Sequence, residues 1–200
     1  MQGMGGPTKF SFPKAVSITR TASVRFSERM QSYTTMRTAK QRPKEPKSGR
    51  PHLPGYGVSK TRKELLPWKW AKNILSRTKN YFLATTRVDG RPHVMPIWGV
   101  WTDGQFYFST GKKSVKARNL AGNPSCVLCA GTAEEAVMLE GIVEKVDDRK
   151  IVQQVATVYF KKYDFDFSKM NEPIFVVRPR VAFGQIEKTF VKTATRWKFD

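Results

Sequence analysis

The spacing of apolar positions changes several times along the chain, and each change marks an element. Up to about residue 56 there is no period: small and polar residues mix with scattered Lys and Arg, and the run QRPKEPKSGRPHLPGYG carries Pro and Gly that regular structure does not tolerate. Residues 1–56 are therefore expected to be a disordered basic tail, and 57–200 the folded domain. From Leu65 a helical spacing takes over, with Ala71, Ile74, Leu75 and Thr78 at intervals of three or four and Pro67 at a first helical position. YFLATTR, PHVMPIWGVW and QFYFST follow, separated by Asp89-Gly90 and Asp103-Gly104, which reads as strand, turn, strand, turn, strand, an antiparallel meander.

SVKARNLAGNP reads as a short helix, with Ser114 able to cap it and Gly122 and Pro124 able to end it. SCVLCAG and AVMLEGIVEKV are two more strands. Asp147 is placed to cap a longer helix in which Ile151, Val152, Val155, Val158 and Tyr159 line one face, ending near Tyr163. PIFVVRP, RVAFGQIE and TRWKFD supply two or three last strands. This order excludes an alternating parallel α/β sheet and predicts a mainly β fold with helices (α+β), an antiparallel barrel of six or more strands with a few helices outside it. Within the second strand Met95-Pro96-Ile97 is unusual, because a proline cannot donate to a ladder; it belongs on an edge or at a bulge, where the backbone could face a planar ring.

At 200 residues one domain with an appendage is expected, and a 40% hydrophobic fraction can bury a core. Two cysteines make no disulfide framework, and no run approaches the ~18 apolar residues of a membrane span, so a reducing, soluble, cytoplasmic setting without membrane contact is expected. Lys and Arg number 36 against 16 Asp and Glu, a net charge of +20, which points first to nucleic acid or an anionic surface. The distribution weakens that reading. Residues 1–50 hold eleven basic and two acidic side chains and 51–200 hold 25 and 14, so the first quarter carries almost half of the net charge. No secretory pattern opens the chain. The first 35 residues, with Arg and Ser and few acids, have the composition of an organelle transit peptide, but the plainer readings, a solvated tail or a later start at Met30 or Met36, come first.

The chemistry concentrates between Phe106 and Asn119. There a strand ends in the hydroxyls of Ser109 and Thr110, a glycine turn carries Lys112 and Lys113, and a helix opens with Ser114 and Lys116. Outward-pointing helix amides, neutral hydroxyl donors and ammonium groups together suit a phosphate. The plainer alternative is a solvated turn whose lysines happen to cluster. The turn is not a nucleoside-triphosphate loop, since Phe106 stands where the spacing demands glycine, and no G-x-G-x-x-G follows any strand. Cys126 and Cys129, three apart on a strand, point to opposite faces and read as structural thiols, not as a zinc pair. His93 lies mid-strand beside the expected ligand wall and reads as a neighbour of the ligand and not as a catalytic base. The five tryptophans read first as packing.

From Leu65 to Asp200 the chain resembles the pyridoxamine 5'-phosphate oxidase-like split β-barrel proteins, which bind flavin mononucleotide (FMN) or the related deazaflavin coenzyme. The resemblance is carried by ATTRVDGRPHVMPIWGVWTDGQFYFSTGKKSVKARNLAGNPSCVL followed by AVMLEGIVEKV, in which hairpin, phosphate turn, S-x-K helix start and N-P occur in that family's order and spacing. It implies that His93, Val94, Met95, Pro96, Ile97 and Trp98 form the strand flanking the ring system. It also implies that Thr110, Ser114 and Lys116 hold the phosphate with Lys112 and Lys113 close by, and that two subunits share each cofactor in a homodimer, which would also cover open sheet edges.

Three departures argue against vitamin B6 oxidation. Trp98 stands where the true oxidases have a substrate-binding lysine at the end of the ring-flanking strand, Val115 stands where they have an arginine, and the chain ends RWKFD without their C-terminal Arg-Leu motif. GKKSVKARNL and the tryptophan are similar to the branch with deazaflavin-dependent reductases. The resemblance thus implies an oxidoreductase that moves hydride to or from a small organic molecule. The cofactor would do the redox step while the protein orients it and excludes water, so no acid or base is named. A cofactor- or haem-binding module of the same fold is the alternative. Nucleic-acid binding ranks last, because the tryptophans sit in hydrophobic patterns and do not interleave with exposed lysines.

Overall fold

The computed structural model describes residues 44–166 and 172–200, all within one unit, Arg42–Asp200. The described residues form nine strands and four α-helices: β1 (Lys47–Gly49), α1 (Trp68–Arg77), β2 (Tyr81–Thr86), β3 (Pro92–Ile97), β4 (Gly99–Thr102), β5 (Gln105–Ser109), α2 (Val115–Gly122), β6 (Ser125–Gly131), β7 (Glu135–Lys145), α3 (Arg149–Tyr163), β8 (Ile174–Ile186), α4 (Phe190–Thr193) and β9 (Thr195–Lys198). Every pairing is antiparallel, in the order β1-β9-β8-β7-β6-β2-β3, with β5 also on β8 and β4 on β5. The sheet does not close, because β3 and β4 each pair on one side only. The antiparallel α+β split barrel expected from the sequence is thus present.

Its interior is a single cluster built from period-two positions: Tyr81 and Leu83 of β2, Phe106 and Phe108 of β5, Leu128 of β6, Val137 and Leu139 of β7, and Trp197 of β9 are all at most 1% exposed. Ala71, Ile74 and Leu75 bring the apolar face of α1 onto this cluster. A second cluster lies on the other face of β4, β5 and β8, where Val155 and Tyr159 of α3 meet Val100, Tyr107, Ile174 and Val176.

Several local expectations are corrected. PHVMPIWGVW is two strands, not one, so no simple meander forms. β3 stays on β2, whereas β4 starts at Gly99 and pairs with β5. A Cβ at Gly99 would lie 2.2 Å from Phe106 Cζ and 2.6 Å from the Tyr107 carbonyl, so glycine lets this chain cross onto β5. The segments PIFVVRP and RVAFGQIE form one 13-residue strand, β8, which leaves β5 after Val177 and takes up β9 from Val181, with Pro179 between. Asp148, not Asp147, caps α3: its carboxylate accepts from the amides of Lys150 and Ile151, and Asp147 instead pairs with Lys145 at 2.7 Å. Pro67 sits at the N-cap of α1, one residue before the first helical position.

The expected irregular tail, 1–56, is described only from residue 44. There Lys47–Gly49 add β1 to β9, and Arg50 donates to the carbonyls of Thr61 (2.7 Å), Lys192 (2.6 Å) and Ala194 (3.1 Å). Period and propensity give no hint of a three-residue strand that exists only because a distant strand offers it an edge. The expectation for 1–43 lies outside the described residues. Among those described, no helix is long and apolar enough to cross a membrane.

Candidate functional site

Pro92 and Pro96 of β3 stand opposite Thr86 and Phe82 of β2. Neither can donate, so these are the pairs whose backbone points away from β2, and Val94, midway between them, shares that direction. Prolines on an otherwise free edge match the sequence expectation for Met95-Pro96-Ile97 and blunt that edge against pairing.

Where β3 gives way to β4, a cavity of about 410 Å³ opens, lined by Asn80, Pro96, Ile97, Trp98, Ser109, Thr110 and Lys116. The strand break at Trp98 and the strand-to-helix turn after β5, remote in the ladder, both supply its walls. Trp98 is 46% exposed yet fixed. Its Nε1 donates to Asn80 Oδ1 at 3.0 Å, and its ring stacks on Tyr163 at 4.9 Å and 8°. Asn80 and Tyr163 were not predicted; a lone Asn between helix and strand and one Tyr on an amphipathic helix carry no sequence signal of such a role.

Ser114 caps α2 as expected, its Oγ accepting from the Ala117 amide at 3.1 Å. Thr110 and Ser114 share one hydrogen bond, 3.2 Å between their hydroxyl oxygens. Whichever donates, the other keeps its proton, so the pair can offer one hydroxyl donor to a ligand. Ser109 cannot do the same while its hydroxyl is committed to the Pro173 carbonyl at 3.0 Å. The first-turn amides of α2 point out of the helix end, where the helix dipole adds positive potential. Lys116 is half-buried on the cavity wall, whereas Lys112 and Lys113 are exposed on the turn and do not line it. The Lys112 amide donates to Glu172 at 2.8 Å, which sets a carboxylate beside the turn. Ser114→Ala should lower the unfolding free energy by about 1 kcal/mol, the usual cost of losing such a cap, measurable as an earlier urea midpoint at unchanged slope.

His93, Val94 and Met95 do not line the cavity. Burial, then the charges of Arg87 and Lys116, hold the His93 imidazole below the usual histidine pKa, so it is neutral at pH 7; its Nδ1 is buried without a partner. Cys126 and Cys129 lie apart from the site, and burial pushes both thiols up, Cys126 to about 12. Among the described residues no cluster of three His, Cys, Asp or Glu could hold a metal.

The donor set, hydroxyls and an ammonium beside an aromatic ring, has the chemistry that suits an anion. No curated protein matches the chain. Among solved structures, a conserved hypothetical protein from Mycobacterium tuberculosis superposes with a TM-score of 0.54 at 22% identity, covering 70% of this chain and 90% of its own. The general stress protein 26 of Bacillus anthracis gives 0.50 at 19% identity (58% and 91%). A heme binding protein of Mycobacterium smegmatis gives 0.51 at 16% identity (62% and 60%). At such identities these likenesses establish the fold alone. A profile of the family described as pyridoxamine 5'-phosphate oxidase matches residues 69–185, from α1 through β8 and across both walls of the cavity, and the chain therefore belongs to that family.

Proposed function

We propose that the protein is an oxidoreductase that binds FMN or the deazaflavin coenzyme in this cavity and moves hydride to or from a small organic molecule. The observation that carries this reading is the convergence on one cavity of the Trp98 ring, the Lys116 ammonium and the Thr110–Ser114 hydroxyl pair at the start of α2. These groups fit the coenzyme's two ends: Lys116, the free hydroxyl proton and the α2 amides suit a phosphate, and the flat wall of Trp98 suits a planar ring. When bound, such a cofactor supplies the hydride chemistry. The chain's residues hold the phosphate, orient the ring and exclude water. No side chain is assigned proton transfer. Lys112 and Lys113, exposed on the turn, add long-range attraction for an anionic ligand.

We place the second subunit of a homodimer on the outward face of β2, β3 and β6. There Phe82 lies between Pro96 and Cys129, and Ala84 between Val94 and Val127, an apolar stripe in which Phe82 and Val94 are more than half exposed. Haem is the second reading of the ligand, resting on the fold shared with a heme binding protein and on His93, a neutral imidazole with an unpartnered Nδ1.

Absorbance and fluorescence titrations of the purified protein with FMN, the deazaflavin coenzyme and haem test these readings. Saturable binding of one flavin-type cofactor, competed by inorganic phosphate, is expected. Binding of haem alone, with a Soret shift lost in His93→Ala, would replace the oxidoreductase reading with the module.

A further inference from the structure

Trp98 stands between two ladders, since β3 ends at Ile97 opposite Tyr81 and β4 begins at Gly99 opposite Phe108. Two side chains at the end of α3 take over. Lys162, half-buried, donates from Nζ to the Tyr81 hydroxyl at 2.6 Å and to the Gly99 carbonyl at 3.1 Å. The Tyr163 hydroxyl accepts from the Gly99 amide at 3.0 Å, and its own proton reaches the carbonyl of Lys79 at 2.7 Å or of Gly99 at 2.8 Å. Both backbone polar atoms of Gly99 are thus held from α3. Tyr81 in turn donates to the Leu75 carbonyl at 2.5 Å, tying the brace to α1.

We propose that Lys162 and Tyr163 are positioning residues: by gripping Gly99 they set the Trp98 ring as a wall of the cavity. Tyr163 acts twice, since its ring also stacks on Trp98. The proposal rests on reading this cavity as the ligand site, although the grip on Gly99 is a property of the fold.

The brace is also sensitive to protonation. Burial lowers Lys162 to about 8. The groups around its Nζ are the Tyr81 hydroxyl from β2, the Gly99 carbonyl from β4, and the rings of Tyr81 and Tyr163, 4.8 Å and 5.4 Å away, with Tyr159 packed beside Tyr163. Burial raises all three phenols, so they stay neutral where Lys162 titrates. Because the unfolded chain keeps the Lys162 proton to higher pH than the fold does, holding the ammonium costs stability at pH 7, and that cost fades as pH rises from about 8 towards the ordinary lysine value of 10.5. Above it the amine has one donor fewer and no charge over the rings, and the grip on Gly99 weakens.

The test is NMR of the full chain, isotope-labelled at its tryptophan indoles, with the Trp98 signal assigned by its loss in Trp98→Phe. Lys162→Met should shift that signal and speed its hydrogen exchange about fivefold or more while the Trp197 signal stays in place. Tyr163→Phe, which keeps the stacking ring, should move it less. An unmoved Trp98 signal in Lys162→Met overturns the proposal. If that variant does not fold, the wild-type protein decides: a Trp98 signal that moves with a midpoint near pH 8 supports the brace, and a flat response across that range overturns it. FMN titration of the same samples keeps the two readings apart. A displaced indole in a protein that never binds FMN retains the brace and removes the cofactor, whereas FMN binding with an unmoved indole does the reverse.

Discussion

Truncating Trp197 to alanine should lower the unfolding free energy by about 3–5 kcal/mol, a fifth or more of the roughly 5–15 kcal/mol that a domain has to lose. Trp197 is fully buried and joins three elements. Its ring meets Trp68 of α1 edge-on at 5.4 Å, stacks near Trp70 at 6.5 Å, and lies over Gly184 of β8, where a Cβ would come within 2.5 Å of it. Removing the indole leaves a void that neither a sheet nor a helix can collapse into. Urea unfolding would read the loss as a lower midpoint at unchanged slope. Trp197→Phe is the informative control. The Trp197 Nε1 is buried without an acceptor, so phenylalanine forfeits volume but no hydrogen bond and should cost clearly less than alanine. Equal losses in the two variants would mean that ring volume is not what holds β9 to α1.

The second large effect is on binding. Lys116→Ala should weaken the affinity for FMN or the deazaflavin coenzyme by about 1–3 kcal/mol, roughly five- to 150-fold, the range for losing a hydrogen bond to a charged group. Lys116 is half-buried on the cavity wall and makes no packing contribution comparable to that of Trp197, so stability should stay within about 0.5 kcal/mol of the parent. Lys112→Ala and Lys113→Ala remove exposed charges outside the cavity. Their effect should be smaller and should fade as salt is raised, because exposed charges are screened. A Lys116→Ala protein that binds either cofactor as the parent does would remove Lys116 from the phosphate site, and with it the main support for that reading.

Much of this was legible one residue at a time. Alternation marked YFLATT and QFYFS as strands, helical spacing marked Ala71, Ile74 and Leu75 as the buried face of α1, and Ser114 was recognisable as a cap from its place before VKARNL. The proline in β3 announced an edge, because a missing N–H has the same consequence wherever the chain goes. The turn before α2 was legible for a similar reason: hydroxyls, glycine, lysines and a helix start are adjacent in the chain, so the group is assembled locally.

What could not be read was whatever depends on a partner far away. The same apolar run supports one strand or two, and only the contact of Gly99 with Phe106 splits it at Trp98. Asp147 reads as the cap of α3 in sequence, yet the carboxylate that meets the amides of Lys150 and Ile151 is that of Asp148, while Asp147 pairs with Lys145. Lys112, Lys113 and Lys116 are alike in sequence as ammonium groups on or beside the turn, yet only Lys116 lines the cavity, while Lys112 and Lys113 are exposed. Asn80, Lys162 and Tyr163 reach Trp98 and Gly99 across 18, 63 and 64 residues. The sequence by itself determined most of the strands and helices and the grouping of hydroxyls and lysines around the start of α2, because propensity, periodicity and capping act within a few residues. Tertiary structure alone decided the walls of the cavity and what braces them, because those contacts exist only once the sheet has folded the chain back on itself.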